Sequence, residues 1–71
     1  MSTDICEQLG ERIRKLRKKK GWTQMQMAVN LGLDNSYLCE IEQGKQEACI
    51  RNIQVIARGF GVSISQLLSG L

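Results

Sequence analysis

TQMQMAVNLGLDNSYLCEIEQG, residues 23–44, decides how the chain folds. Thr23 and Gln26 have the spacing of a capping box, in which hydroxyl and amide each satisfy the other residue's backbone at a helix start. Met27, Ala28 and Leu31 then share one face of a helix over residues 24–31, and the small Ala28 lets a following helix cross closely. Gly32-Leu33-Asp34 reads as a tight turn. Gly32 takes positive φ without steric cost, Leu33 plugs the corner, and Asp34 is a good N-cap. In the next helix, residues 35–43, a rotation of about 100° per residue puts Tyr37, Leu38 and Ile41 inward. Asn35, Ser36, Cys39, Glu40 and Gln43 face outward, with Glu42 at the border. Gly44 stops the helix.

Apolar positions recur at three and four throughout, with no strand-like alternation, so the whole chain reads as helix. A first helix over residues 4–19 carries Ser2, Thr3 and Asp4 as cap oxygens and a stripe of Ile5, Leu9, Ile13 and Leu16. Its acids lie early and its cations late, which suits the helix dipole. Gly21 is a C-cap candidate and Trp22 a core anchor. A fourth helix over residues 49–60 has Ile50, Ile53, Ile56, Ala57 and Phe60 on one face. Within it Gly59 reads as a mild defect, costing about 1 kcal/mol against Ala. A fifth helix over residues 64–68 opens on a second capping-box spacing, Ser63 to Gln66. Val62 and Leu67 pack inward. Val55, Ile64, Leu68 and Leu71 are more apolar surface than five short helices can hide.

With 71 residues, one domain is expected, and so small a core calls for tight helix packing or a partner chain. Ten Lys and Arg against seven Asp and Glu give +3. The excess is concentrated: Arg12, Arg14, Lys15, Arg17, Lys18, Lys19 and Lys20 share one nine-residue window. Such a cluster attracts polyanions, although a solvated helix face would look the same. Cys6, Cys39 and Cys49 are odd in number, widely spaced and without any His, which argues against a zinc site and a disulfide framework. Free thiols in a reducing cytoplasm are the expectation. The N-terminus lacks the apolar run of a signal peptide, and no stretch approaches the ~20 apolar residues that span a bilayer. A soluble, cytoplasmic protein without metal or other cofactor is expected.

A capped helix, a glycine turn and a second helix with a polar outer face stand together, beside a basic helix end. One α-helix fits the DNA major groove, with its first residues on base edges and the preceding helix over the backbone. The residues Ile13-Arg14-Lys15-Leu16-Arg17, Gly21-Trp22-Thr23-Gln24, Met27-Ala28, Gly32-Leu33, Ser36-Tyr37-Leu38, Ile41-Glu42-Gln43-Gly44, Ile53, Ile56-Ala57, Phe60-Gly61-Val62 and Leu67-Leu68 carry a resemblance. The chain resembles the phage-repressor and Cro-like helix-turn-helix regulators, the xenobiotic-response-element family, and among them the small controller proteins of restriction-modification systems. The resemblance runs from about Leu9 to Leu68 and implies an all-α, five-helix, lambda-repressor-like DNA-binding domain.

That resemblance also implies roles. Asn35 and Ser36 match the first groove-facing positions, and Glu40 matches a position one turn on, where a carboxylate must find a cytosine amine or be repelled by phosphate. Gln24 matches a residue that touches phosphate and braces the reading helix. Lys45 matches a backbone contact, and Lys18 and Lys19 supply charge toward phosphate. Tyr37 either reaches a phosphate through its hydroxyl or packs. Arg17 and Glu42 match a partly buried ion pair that orients the reading helix; as solvated charges they would contribute little. Two departures stand out: Ala48 lies where proline is common, and Cys39 lies on the reading face.

The function these observations imply is sequence-specific regulation of transcription. A homodimer built through the fourth and fifth helices would bind a pseudo-palindromic operator in double-stranded DNA and occlude or recruit RNA polymerase. The alternative is an antitoxin-type protein-interaction module of the same fold. An enzyme is disfavoured: there is no His, no paired carboxylate in a cleft and no phosphate-binding glycine loop.

Overall fold

A computed structural model describes residues 4–71 as five helices: α1 Ile5–Lys19, α2 Gln24–Leu31, α3 Asn35–Glu42, α4 Ile50–Phe60 and α5 Ile64–Leu67. Four helix starts are closed by side chains. Asp4 accepts from the amides of Cys6 and Glu7 at 2.8 and 3.3 Å. Asp34 does the same for Ser36 and Tyr37. Thr23 with Gln26 and Ser63 with Gln66 form complete capping boxes. Ser2 and Thr3, the other cap candidates, lie outside the described residues. Asp4, Gln43, Cys49 and Leu68 are flanking cap residues, so the regular helices are slightly shorter than the sequence reading drew them.

The turn between α2 and α3 rests on Gly32, at φ 67° and ψ 31°. There the Leu33 amide donates to the Ala28 carbonyl at 3.0 Å and the Gly32 amide to Val29 at 3.3 Å. The left-handed residue closes two carbonyls left open at the helix end, a geometry that costs a side-chain-bearing residue steric strain.

The helices enclose one core, with Ile13, Met27, Leu38, Ile41, Ile56 and Leu67 fully buried and Leu9, Ala28, Ala57 and Phe60 nearly so. α3 packs against both α1 and α2, while α4 packs against α2 and α5. Trp22 is half-buried and stacks on Phe60 with ring centroids 5.9 Å apart. Arg12 ties α1 to α5 by donating through Nη2 to the Gln66 carbonyl at 2.9 Å.

Three expectations need correction. Ile5, the first residue of α1, is 57% exposed. Ile50, the first residue of α4, is 65% exposed. Gly59 is a contact rather than a defect: a Cβ there would collide with the Leu31 side chain of α2. The surplus apolar surface is real in part. Ile5, Leu9, Ala48, Ile53, Leu68 and Leu71, with Cys6 and Glu47, line an open groove of about 430 Å³.

Candidate nucleic-acid interface

The residues of α3 divide by face. Leu38 and Ile41 are buried, while Asn35, Ser36, Glu40 and Gln43 are exposed and Cys39 is half-buried. Asp34 fixes the start of this helix, its Oδ1 accepting from the Ser36 amide at 2.7 Å and the Tyr37 amide at 3.2 Å. Those two amides are therefore already occupied. Asn35 and Ser36 present their side chains from a turn in which the Ser36 and Tyr37 amides are satisfied by Asp34. Further along, Glu40 Oε2 accepts from Gln46 Nε2 at 3.3 Å, and Cys39 Sγ accepts from Gln43 Nε2 at 3.4 Å.

The other end of α3 is held by a polar network. Glu42 has its side chain fully buried. Arg17 grips both of its oxygens, Nε to Oε2 at 2.7 Å and Nη2 to Oε1 at 3.1 Å. Gln24 Nε2 donates to Oε1 at 3.1 Å, and Arg14 approaches the same oxygen at 3.5 Å. Arg17 also donates through Nη1 to the Trp22 carbonyl at 2.8 Å. One carboxylate thus joins α1, the α1–α2 connection, α2 and α3. A carboxylate so deep in the protein is tolerated because charge and hydrogen bonds meet its lone pairs together. Gln24 places one amide proton on this brace and keeps the second.

Close approach makes the network possible. Gly10 is buried on α1, and a Cβ there would lie 2.5 Å from the Glu42 carbonyl oxygen and nearer still to that of Ile41. Both are backbone atoms that cannot swing aside. Gly10 therefore sets how near α1 comes to the end of α3. At the neighbouring turn Gly44, at φ 76°, lies against Glu7.

Tyr37 is half-buried and packs against the core. Its hydroxyl oxygen accepts from Asn52 Nδ2 of α4 at 2.8 Å. Lys18, Lys19 and Lys45 are exposed and form no ion pair among the described residues. Lys20 leans over the Trp22 ring, its Nζ 5.8 Å from the centroid.

The structure therefore gathers Arg17, Glu42 and Gln24 at one point, and it puts Asn35, Ser36 and Glu40 together on the open face of α3. Sequence reasoning missed three participants. Arg14 carried no sign beyond its place in the basic run. Gly10 fell inside a helix, where an interior glycine without a turn role is the available clue to a close contact. Asn52 has no local motif, because its partner lies 15 residues away. All three cysteines are free, among the described residues no cluster of His, Cys, Asp or Glu could hold a metal ion, and no helix is long and apolar enough to cross a membrane.

Comparison with known proteins agrees with this geometry. Residues 10–70 match the family described as a helix-turn-helix domain. The chain is 35% identical over 69 residues to the control protein C.MunI of a Mycoplasma species, covering 96% of this chain and 93% of that one. The solved restriction-modification controller protein C.AhdI from Aeromonas hydrophila superposes with a TM-score of 0.83 at 32% identity, covering 87% of this chain and 94% of the other. A C.Esp1396I controller tetramer, solved in complex with its natural 35 base-pair operator, matches with a TM-score of 0.81 at 27% identity over 94% of this chain and 92% of that one. Over nearly its whole length, the chain belongs to the helix-turn-helix domain family.

Proposed function

We propose that this protein is a cytoplasmic transcriptional regulator that binds double-stranded DNA by sequence, with α3 in the major groove. The observation that carries the reading is the division of α3. Asn35, Ser36 and Glu40 on its outward side are polar and exposed, while its far end is locked to α1 and α2 through buried Glu42. A groove-reading helix needs an open face and a fixed orientation together.

Within this reading, Asn35 and Ser36 contact base edges or adjacent phosphates, and asparagine can pair with adenine in two hydrogen bonds. Glu40 accepts from a cytosine amine or stays on Gln46, away from phosphate. Gln24, Tyr37, Lys18, Lys19 and Lys45 contact the backbone. Resemblance to controller proteins, one of which was solved on its operator, supports the same assignment.

The protein acts as a homodimer on a pseudo-palindrome. Support comes from the open apolar groove beside α4 and α5, which extends to the start of α1. A body of 30 × 23 × 22 Å allows two copies side by side to hold their α3 helices about 34 Å apart, one turn of duplex. Occlusion or recruitment of RNA polymerase follows from where such a site lies relative to a promoter.

Selection of bound sites from a random duplex pool tests this reading. An enriched inverted repeat with half-sites about one helical turn apart is expected. A pool that stays random after several rounds would refute it.

A further inference from the structure

Tyr37 carries the chain's one phenolic hydroxyl, and its oxygen accepts a 2.8 Å hydrogen bond from Asn52 Nδ2. A phenol has one proton to donate and can accept as well. Because Asn52 supplies the proton of this contact, the phenol keeps its own. The ring is half-buried against the core, so it has little freedom to turn elsewhere. Tyr37 sits on the first turns of α3, next to Ser36, and Asn52 comes from the first turn of α4.

We propose that Asn52 is a positioning residue that turns the Tyr37 hydroxyl into a directed hydrogen-bond donor for a DNA phosphate oxygen beside the reading helix. The inference rests on the reading of α3 as a DNA-binding helix and deepens it. Asn52 acts in two ways. It fixes the oxygen in space, which removes the ordering cost of a free phenol on binding. Its donated hydrogen bond also polarises the O–H, since linked hydrogen bonds strengthen one another. The contact is neutral, so it adds affinity without adding a cation.

The test uses the full chain and four variants: Tyr37→Phe, Asn52→Ala, Asn52→Leu and the double variant Tyr37→Phe with Asn52→Ala. Asn52→Leu keeps the branched shape and removes the donor. Each is titrated onto a duplex recovered from the random pool and onto an unselected duplex, at several salt concentrations. Urea unfolding first establishes conditions where every variant is folded.

Tyr37→Phe is expected to weaken binding about tenfold, the loss of one hydrogen bond to a charged group. Asn52→Ala and Asn52→Leu each give a similar loss, and the double variant is no worse than Tyr37→Phe alone. The slope of affinity against salt stays at its wild-type value, because no charge is removed. A merely structural Asn52 would lower the urea midpoint and leave the affinity of the folded protein unchanged, which overturns the proposal. So do additive losses in the double variant, or wild-type affinity for Tyr37→Phe. If the wild-type chain binds neither duplex, the DNA-binding reading itself fails and the inference falls with it.

Discussion

Arg17 and Glu42 lie on different helices, 25 residues apart, and meet through two hydrogen bonds of 2.7 and 3.1 Å. The carboxylate is fully buried and the Arg17 side chain only 12% exposed, so the pair is largely shielded from water. The pair fixes the far end of α3 to α1. Its strength as a stabilising element is secondary, since a buried pair exchanges hydration for contact with little net gain. Breaking it is costly all the same. Glu42→Ala removes the carboxylate shared by Arg17, Arg14 and the Gln24 amide, leaves the Arg17 charge buried without its counter-ion, and should destabilise the fold by about 3–5 kcal/mol. Urea unfolding checks this; a change under about 1 kcal/mol, the scale of a surface pair, would mean the carboxylate is not the hub of the network.

Gly10 should tolerate no side chain. Alanine is the better helix former by roughly 1 kcal/mol, so propensity alone forecasts a gain from Gly10→Ala. The Cβ would meet two backbone carbonyls of α3, and overpacking of this kind costs about 1–3 kcal/mol. We therefore expect net destabilisation, with weaker DNA binding as α3 is pushed outward. Gly59→Ala should be milder, because the Leu31 side chain it meets can change rotamer. Thermal melts of the two variants decide the order.

The exposed cations act without regard to sequence. Replacing Lys18 or Lys19 by Ala should weaken binding to selected and unselected duplexes alike. The salt slope should fall by about one for each phosphate that is no longer neutralised. Asn35→Ala should behave in the opposite way, leaving unselected binding nearly intact and lowering discrimination by about 1–3 kcal/mol at one base pair. Affinity measured over a salt series separates the two behaviours.

Cys6 lines the apolar groove, and partial burial pushes its thiol pKa above the ordinary value, with the carboxylates of Asp4 and Glu47 adding to the rise. The reactive thiolate is therefore scarcer at neutral pH. Iodoacetamide should modify the exposed Cys49 well before Cys6 near neutral pH, and the Cys6 rate should climb as pH rises. Peptide mass mapping over a time course checks this. Faster labelling of Cys6 would contradict the burial and the charge effect together.

Much of the fold was legible because its signals are local. Thr23 with Gln26, Ser63 with Gln66, and Asp34 before Asn35 mark helix starts within a span of four residues, and Gly32 marks the turn by itself. The core followed from spacing for Leu9, Ile13, Ile56 and Phe60. It failed for Ile5 and Ile50, since periodicity assigns a face but not whether a neighbour covers the first turn of that face. In the candidate site, the outward side of α3 could be read from helix rotation alone. The pairing of Arg17 with Glu42 was reached through family resemblance, because a contact across 25 residues leaves no spacing rule. Arg14, Gly10 and Asn52 escaped for the same reason: each matters only through a residue brought near by the fold.

The central claim is that the open face of α3 reads DNA sequence. Equilibrium titration of the wild-type chain, at about 0.15 M salt, onto the selected duplex and onto a scrambled duplex of the same composition tests it most directly. The account predicts that the selected duplex binds roughly a thousandfold more tightly or better. Equal affinity for the two would contradict it.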